Sequence, residues 1–127
     1  MKSFTEFCAA VHAKFPALAA QADRKHEQDW GEPAVEELEF YCWFGSMANA
    51  LNDRMRSGEP VAQAAEFFEF VSRTWTGAES NVKGCIDVSL VENLFWEVSP
   101  QEAAPYWAAL PSPLQELYLG FHRHAPS

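Results

Sequence analysis

NVKGCIDVSLVENLFWEV, Asn81 to Val98, is the stretch around which the rest of this chain must be arranged. Read as a helix, it sets Ile86, Leu90, Leu94 and Val98 in one row, with Val91 and Phe95 beside them. Cys85, Val88 and Trp96 fall on the remaining sides. Only Lys83, Asp87, Asn93 and Glu97 leave a narrow polar strip. A helix that is apolar nearly all round is one that its neighbours enclose. A short strand over Cys85–Leu90, where Ile86, Val88 and Leu90 alternate, is the rival reading of the first half. Both readings make the stretch core.

Outward from it, helix punctuation recurs in both directions. Downstream, Ser99-Pro100-Gln101-Glu102 supplies a cap, a proline at the first helical position and the acid of a capping box. It opens a helix from Pro100 to about Leu110, with Pro105 inside it. Pro111-Ser112-Pro113 follows, with Ser112 as the expected cap of a last helix from Pro113 to about His122. That helix presents Leu114, Leu117, Tyr118 and Phe121. The tail, His122 to Ser127, is expected to fray.

Upstream, Pro60 opens a helix to about Trp75 that turns Val61, Ala64, Ala65, Phe67, Phe68, Val71 and Trp75 inward. The longest helix is expected from Pro33 to about Arg56. Its apolar face is Val35, Leu38, Tyr41, Cys42, Phe44, Met47, Ala48, Leu51 and Met55. Arg54 and Arg56 suit the dipole of its last turn, and Gly58 is the stop signal. At the N-terminus, Ser3 and Glu6 form a capping box before Phe4, Phe7, Cys8, Val11 and Phe15. Pro16 then breaks or kinks that helix, and a second piece, a continuation or a new helix, runs from Pro16 to about Glu27. The expected fold is all-α: a compact irregular bundle of six or seven helices with short Pro-marked turns, in one domain over residues 1–127.

The 127 residues carry 18 acids against nine bases, a formal charge of −9. That balance argues against a nucleic-acid backbone or an anionic membrane surface as partner, since both call for a basic patch. It suits a basic protein partner. No run of about 18 apolar residues suggests a membrane span. The N-terminus has no apolar segment of the signal-peptide kind, so a cytoplasmic location is expected. Cys8, Cys42 and Cys85 are odd in number and widely spaced, and they read as reduced core thiols.

The most informative polar feature is acidic. Glu27, Asp29, Glu32, Glu36, Glu37 and Glu39 crowd into 13 positions, and no Lys or Arg falls between Lys25 and Arg54. Glu32, Glu36 and Glu39 are spaced to share a face at the start of the long helix. With Trp30 as an aromatic anchor, Glu32, Glu36, Glu37 and Glu39 form the candidate partner-binding face. The bland alternative is a solvated helix start. No catalytic residue, metal ligand or cofactor site is expected. The chain lacks the Glu-x-x-His of a carboxylate-bridged centre, and His122-x-His124 is a weak pair. Cys8 and His12 stand four apart on one helix, but among apolar neighbours. There is no phosphate-binding glycine loop and no nucleophile elbow.

NVKGCIDVSLVENLFW followed by a helix and an SPLQELY end, in an acidic, Trp-rich helical chain of this length, resembles small bacterial proteins of the toxin-immunity type. The resemblance covers roughly the last 60 residues. It implies a stoichiometric protein-binding module, an inhibitor that occludes a cognate basic toxin in the cytoplasm, with no catalysis of its own. The alternative is a structural or assembly protein, a homo-oligomer that associates through Trp75, Trp96 or Trp107.

Overall fold

The computed structural model describes residues 1–126; Ser127, the last residue of the expected tail, lies outside the described residues. The chain is all-α, with no strand among the described residues, and its helices enclose one apolar cluster. Helix α1 (Phe4–Lys14) begins where the Ser3 hydroxyl accepts the Glu6 N–H at 3.0 Å. The expected box is only half formed, because the Glu6 carboxylate faces the terminal ammonium at 4.0 Å. Phe15 (φ −132°, ψ 62°) leaves the helical region, and Pro16 starts α2 (Pro16–Trp30). That helix runs three residues past the expected Glu27 and stops at Gly31, whose φ of +83° suits glycine at little steric cost.

Helix α3 (Glu37–Arg56) starts four residues later than Pro33, and capping explains why. The Glu39 carboxylate reaches back to the N–H groups of Glu36 (2.8 Å) and Val35 (3.3 Å), as the third-position acid of a capping box does. Glu36 is extended and stands outside the helix. Two residues expected to face inward are outside: Val35, which precedes the helix, and Leu38, in its first turn, are 73% and 76% exposed. From Trp43 onward the expected face is buried: Phe44, Met47, Ala48, Leu51 and Met55 join the core. Helices α2 and α3 form the most extensive helix pair and run antiparallel. His26 pairs with Ser46 at 3.2 Å and Gln21 with Arg54 at 2.7 Å.

Helix α4 (Ala62–Gly77) begins two residues after Pro60 and buries Ala64, Phe67, Phe68, Phe70 and Val71. Phe70 is an addition to the expected face. Its ring meets Phe15, and the Lys14 ammonium stands 5.6 Å from its centroid.

The central stretch is not one helix to Val98. It runs as α5 (Ser80–Gly84), widens to π-helical turns over Cys85–Leu90, tightens to a 3₁₀ turn over Val91–Asn93, and ends. The strand alternative for Cys85–Leu90 is thereby excluded. The termination has a specific cause in Asn52, buried on α3. Its Oδ1 accepts the Phe95 N–H at 2.7 Å and its Nδ2 donates to the Asn93 carbonyl at 2.9 Å. A continuing α-helix would need those same two groups for its own ladder. One turn on, Arg56 Nη1 donates to the carbonyls of Trp96 (2.9 Å) and Glu97 (3.2 Å). The turn so clamped holds Phe95 (φ 69°) and Glu97 (φ 53°) in left-handed backbone. Ile86, Leu90, Val91, Leu94, Phe95 and Val98 are buried as the pattern requires, while Val88 and Trp96 are exposed.

Helix α6 (Pro100–Ala109) has its full capping box: Ser99 Oγ accepts the Glu102 N–H at 3.2 Å and Glu102 accepts the Ser99 N–H at 3.0 Å. The Tyr106 hydroxyl donates to the Glu59 carbonyl at 2.8 Å and ties α6 to the link between α3 and α4. Helix α7 (Ser112–His122) takes Ser112 as its first residue, not as its cap; the Pro111 carbonyl accepts the first bond. Leu114 and Tyr118 are buried, whereas Phe121 is exposed. His122 is not part of a loose tail. It stacks on Tyr118 with centroids 4.1 Å apart, and its Nε2 lies 3.0 Å from the Glu92 carbonyl. No helix is long and apolar enough to cross a membrane among the described residues.

Two substitutions test the clamp. Asn52→Ala strands two backbone groups, each worth about 1–3 kcal/mol when buried and unpaired, so urea melts should lose about 2–4 kcal/mol. Glu97→Gly relieves an exposed left-handed residue and should gain about 0.5–1 kcal/mol, the left-handed penalty less the added chain entropy. Equal stability of both variants and the unaltered chain would contradict the clamp.

Candidate functional site

Where α2 ends and α3 begins, the acidic stretch and the link between the helices form a shallow groove of about 210 Å³. His26, Trp30, Glu32, Leu38, Glu39 and Cys42 line it. Its floor is fixed: His26 is buried, with Nδ1 3.2 Å from the Ser46 hydroxyl. Trp30 stacks on the His26 ring (6.0 Å between centroids, 22°) and yet stays 60% exposed. Leu38 forms an exposed wall, and Val35 is exposed on the same link. A soluble surface seldom groups three large apolar side chains so close in sequence and leaves them uncovered without a use.

The acids divide into different roles. Glu32 and Glu39 line the groove with Trp30, so these three expected residues are brought together. Glu32 and Glu36 precede α3, so the expected shared helix face of Glu32, Glu36 and Glu39 does not exist. Glu36 is exposed at the helix start. Glu37 turns the other way. Its carboxylate accepts the Phe4 N–H at 2.6 Å, the Thr5 N–H at 3.1 Å and the Thr5 hydroxyl, and so serves as a cap for α1. The Thr5 hydroxyl bond, helped by the two backbone N–H bonds, holds the Glu37 carboxyl below the usual glutamate range. Sequence spacing alone could not separate these roles. His26, Leu38 and Cys42 were missed as groove residues. The available signal was His26 one helical turn before Trp30.

A second cluster has the outline of a catalytic triad. Cys8 Sγ lies 3.5 Å from His12 Nδ1, and His12 Nε2 lies 3.0 Å from Asp23 Oδ2. The details give it a structural role. His12 Nδ1 is closer to the Cys8 carbonyl, at 2.9 Å, and Asp23 Oδ1 accepts the indole N–H of buried Trp43 at 2.7 Å. Burial, reinforced by the Asp23 charge, pushes the Cys8 thiol up to about 12, so almost no thiolate exists at neutral pH. Cys85 is likewise pushed up by burial. Among the described residues, no three His, Cys, Asp or Glu side chains gather as a metal would need. The groove itself offers an apolar cup with a negative rim, a fit for an apolar side chain flanked by cations.

The Glu37 cap predicts a pH signature. A carboxyl whose folded value lies below its unfolded 4.5 stabilises above that value and loses the effect as pH falls toward and through the folded value. Glu37→Gln should therefore melt in less urea than the unaltered chain at pH 7, and the gap should close as pH drops below 4.5. A gap that persists or widens in acid would rule out the ionised cap.

No curated protein and no solved structure matches this sequence. A family profile does match, over residues 8–124, which takes in every helix described above except the first turn of α1. On that match the chain belongs to the family described as Domain of unknown function (DUF7674).

Proposed function

We propose that this chain is a cytoplasmic protein-binding module that takes a basic partner on the groove between α2 and α3. Its specific form would be an immunity-type inhibitor that occludes a toxin domain. The observation that carries the reading is the exposure of Trp30 and Leu38 in one groove, beside Glu32 and Glu39 and over a floor held by His26. Aromatic anchors rimmed by charge are the usual energetic centre of a protein interface. The surrounding field is strongly negative, with 18 acids against nine bases, and would speed capture of a basic protein.

A second reading rests on a separate observation. Trp96 is 66% exposed on a turn that the Asn52 and Arg56 clamp holds in left-handed backbone. An indole presented on so rigid a support suits a contact between copies of the chain. Sedimentation should then show an oligomer that Trp96→Ala dissociates; a concentration-independent monomer would exclude it.

The main reading is tested with a tagged chain, used at low salt to isolate its partner, followed by affinities of the purified pair. Trp30→Ala should weaken binding by about 30-fold or more, the loss of one interface anchor. Glu32→Lys with Glu36→Lys and Glu39→Lys should slow association about tenfold and flatten its salt dependence. Affinities unchanged in both variants would remove the groove as the binding face.

A further inference from the structure

A second cleft, of about 200 Å³, opens farther along the same helix pair and carries the opposite charge. Of the nine Lys and Arg residues in the chain, Arg24 and Lys25 on α2 and Arg54 on α3 all line it. Two acids line it too, and they differ. Asp53 is already held between Lys25 (3.0 Å) and Arg56 (2.5 Å); burial raises its carboxyl, but the hydrogen bonds from Arg56 and Lys25, with their charges, keep it below the usual range. Glu59 makes no ion pair among the described residues. Neither Arg24 nor Arg54 has a carboxylate partner among those residues. Arg54 is fixed by Nη1, which donates to Gln21 Oε1 at 2.7 Å, while its buried Nε–H has no hydrogen-bond partner. That N–H is closed off from solvent, so Arg54 faces the cleft only through the rest of its guanidinium.

We infer that this cleft is a binding site for a small phosphate-class oxyanion, either inorganic phosphate or the phosphate group of a small metabolite. The Arg24 and Arg54 guanidiniums, neither of them ion-paired, supply planar donors suited to phosphate oxygens, and with Lys25 they outnumber the Asp53 and Glu59 carboxylates on the same lining. The Gln28 amide and the Ser57 hydroxyl add neutral donors to the same lining. The cleft is smaller than the roughly 300–1,000 Å³ of pockets for drug-sized ligands, which limits the occupant to a small solute. It shares no residue with the groove around Trp30, so the two sites stand or fall separately.

The test is a titration of the full chain with inorganic phosphate, against chloride at matched ionic strength, followed by thermal melting. Binding to the folded chain alone raises Tm with a saturable dependence on ligand. Phosphate should do so with a dissociation constant on the order of 1 mM or tighter, a range within reach of melting curves. Arg24→Gln, a change at an exposed side chain, should weaken phosphate by about tenfold or more, whereas Arg73→Gln, outside the cleft, should not. A rise reproduced by chloride, or equal phosphate affinity in Arg24→Gln and the unaltered chain, would overturn the assignment. The ionic-strength match separates site binding from general screening. A phosphorylated metabolite that binds more tightly than inorganic phosphate and competes with it would assign the metabolite as occupant; equal or weaker binding would assign phosphate itself.

Discussion

The arrangement depends most on one buried amide. Asn52 takes an N–H and a carbonyl that a longer central helix would use itself, and so ends that helix at Asn93. Arg56, one turn later on α3, completes the hold at the carbonyls of Trp96 and Glu97. Everything after Asn93 takes its direction from this clamp. Phe95 is turned inward against Trp107 and Tyr118, with edge-to-face centroid distances of 5.8 and 5.4 Å. Ser99 is left extended, ready to cap α6. Left-handed backbone at Phe95 and Glu97 is an unfavourable state that persists because α3 over-determines it.

Much of this architecture was legible in the sequence, because its boundaries are written in side chains that act locally. Ser99 and Glu102 close their box, Pro16 marks an interruption that the structure makes a full break between α1 and α2, and Gly58 adopts left-handed backbone after α3. The central stretch is the instructive exception. Its apolar residues are buried as periodicity demands, but its path is set by Asn52, more than 40 positions upstream. No local pattern records such a partner. The start of α3 was misplaced for a related reason. Pro33 is a sound first-turn residue, yet Glu39 reaching back to Glu36 and Val35 provides the competing cap.

The candidate site was half legible. The acidic run and Trp30 were visible as composition, and the fold brings Trp30, Glu32 and Glu39 to one groove. Glu37 could not be told apart, because its role as a cap for α1 depends on a contact 33 residues away. Spacing places Leu38 and Val35 inside, but both are on the surface, Val35 because the helix begins after it and Leu38 because it lies in the first turn, ahead of the buried face that starts at Trp43. That displacement is what makes the region an apolar patch with an acidic rim. The same antiparallel pair of α2 and α3 thus carries a negative apolar groove at one place and an arginine-lined cleft at another. Charge in this molecule is sorted by position as well as unbalanced in total.

The groove between α2 and α3 is proposed as a protein-recognition face. The most direct measurement is amide hydrogen exchange on the chain alone and with its partner bound, resolved by peptide. New protection is expected over His26 to Cys42, with little change in the turn at Leu94–Glu97 or in α7. Protection confined to that turn and α7, with residues 26–42 unaltered, would contradict it.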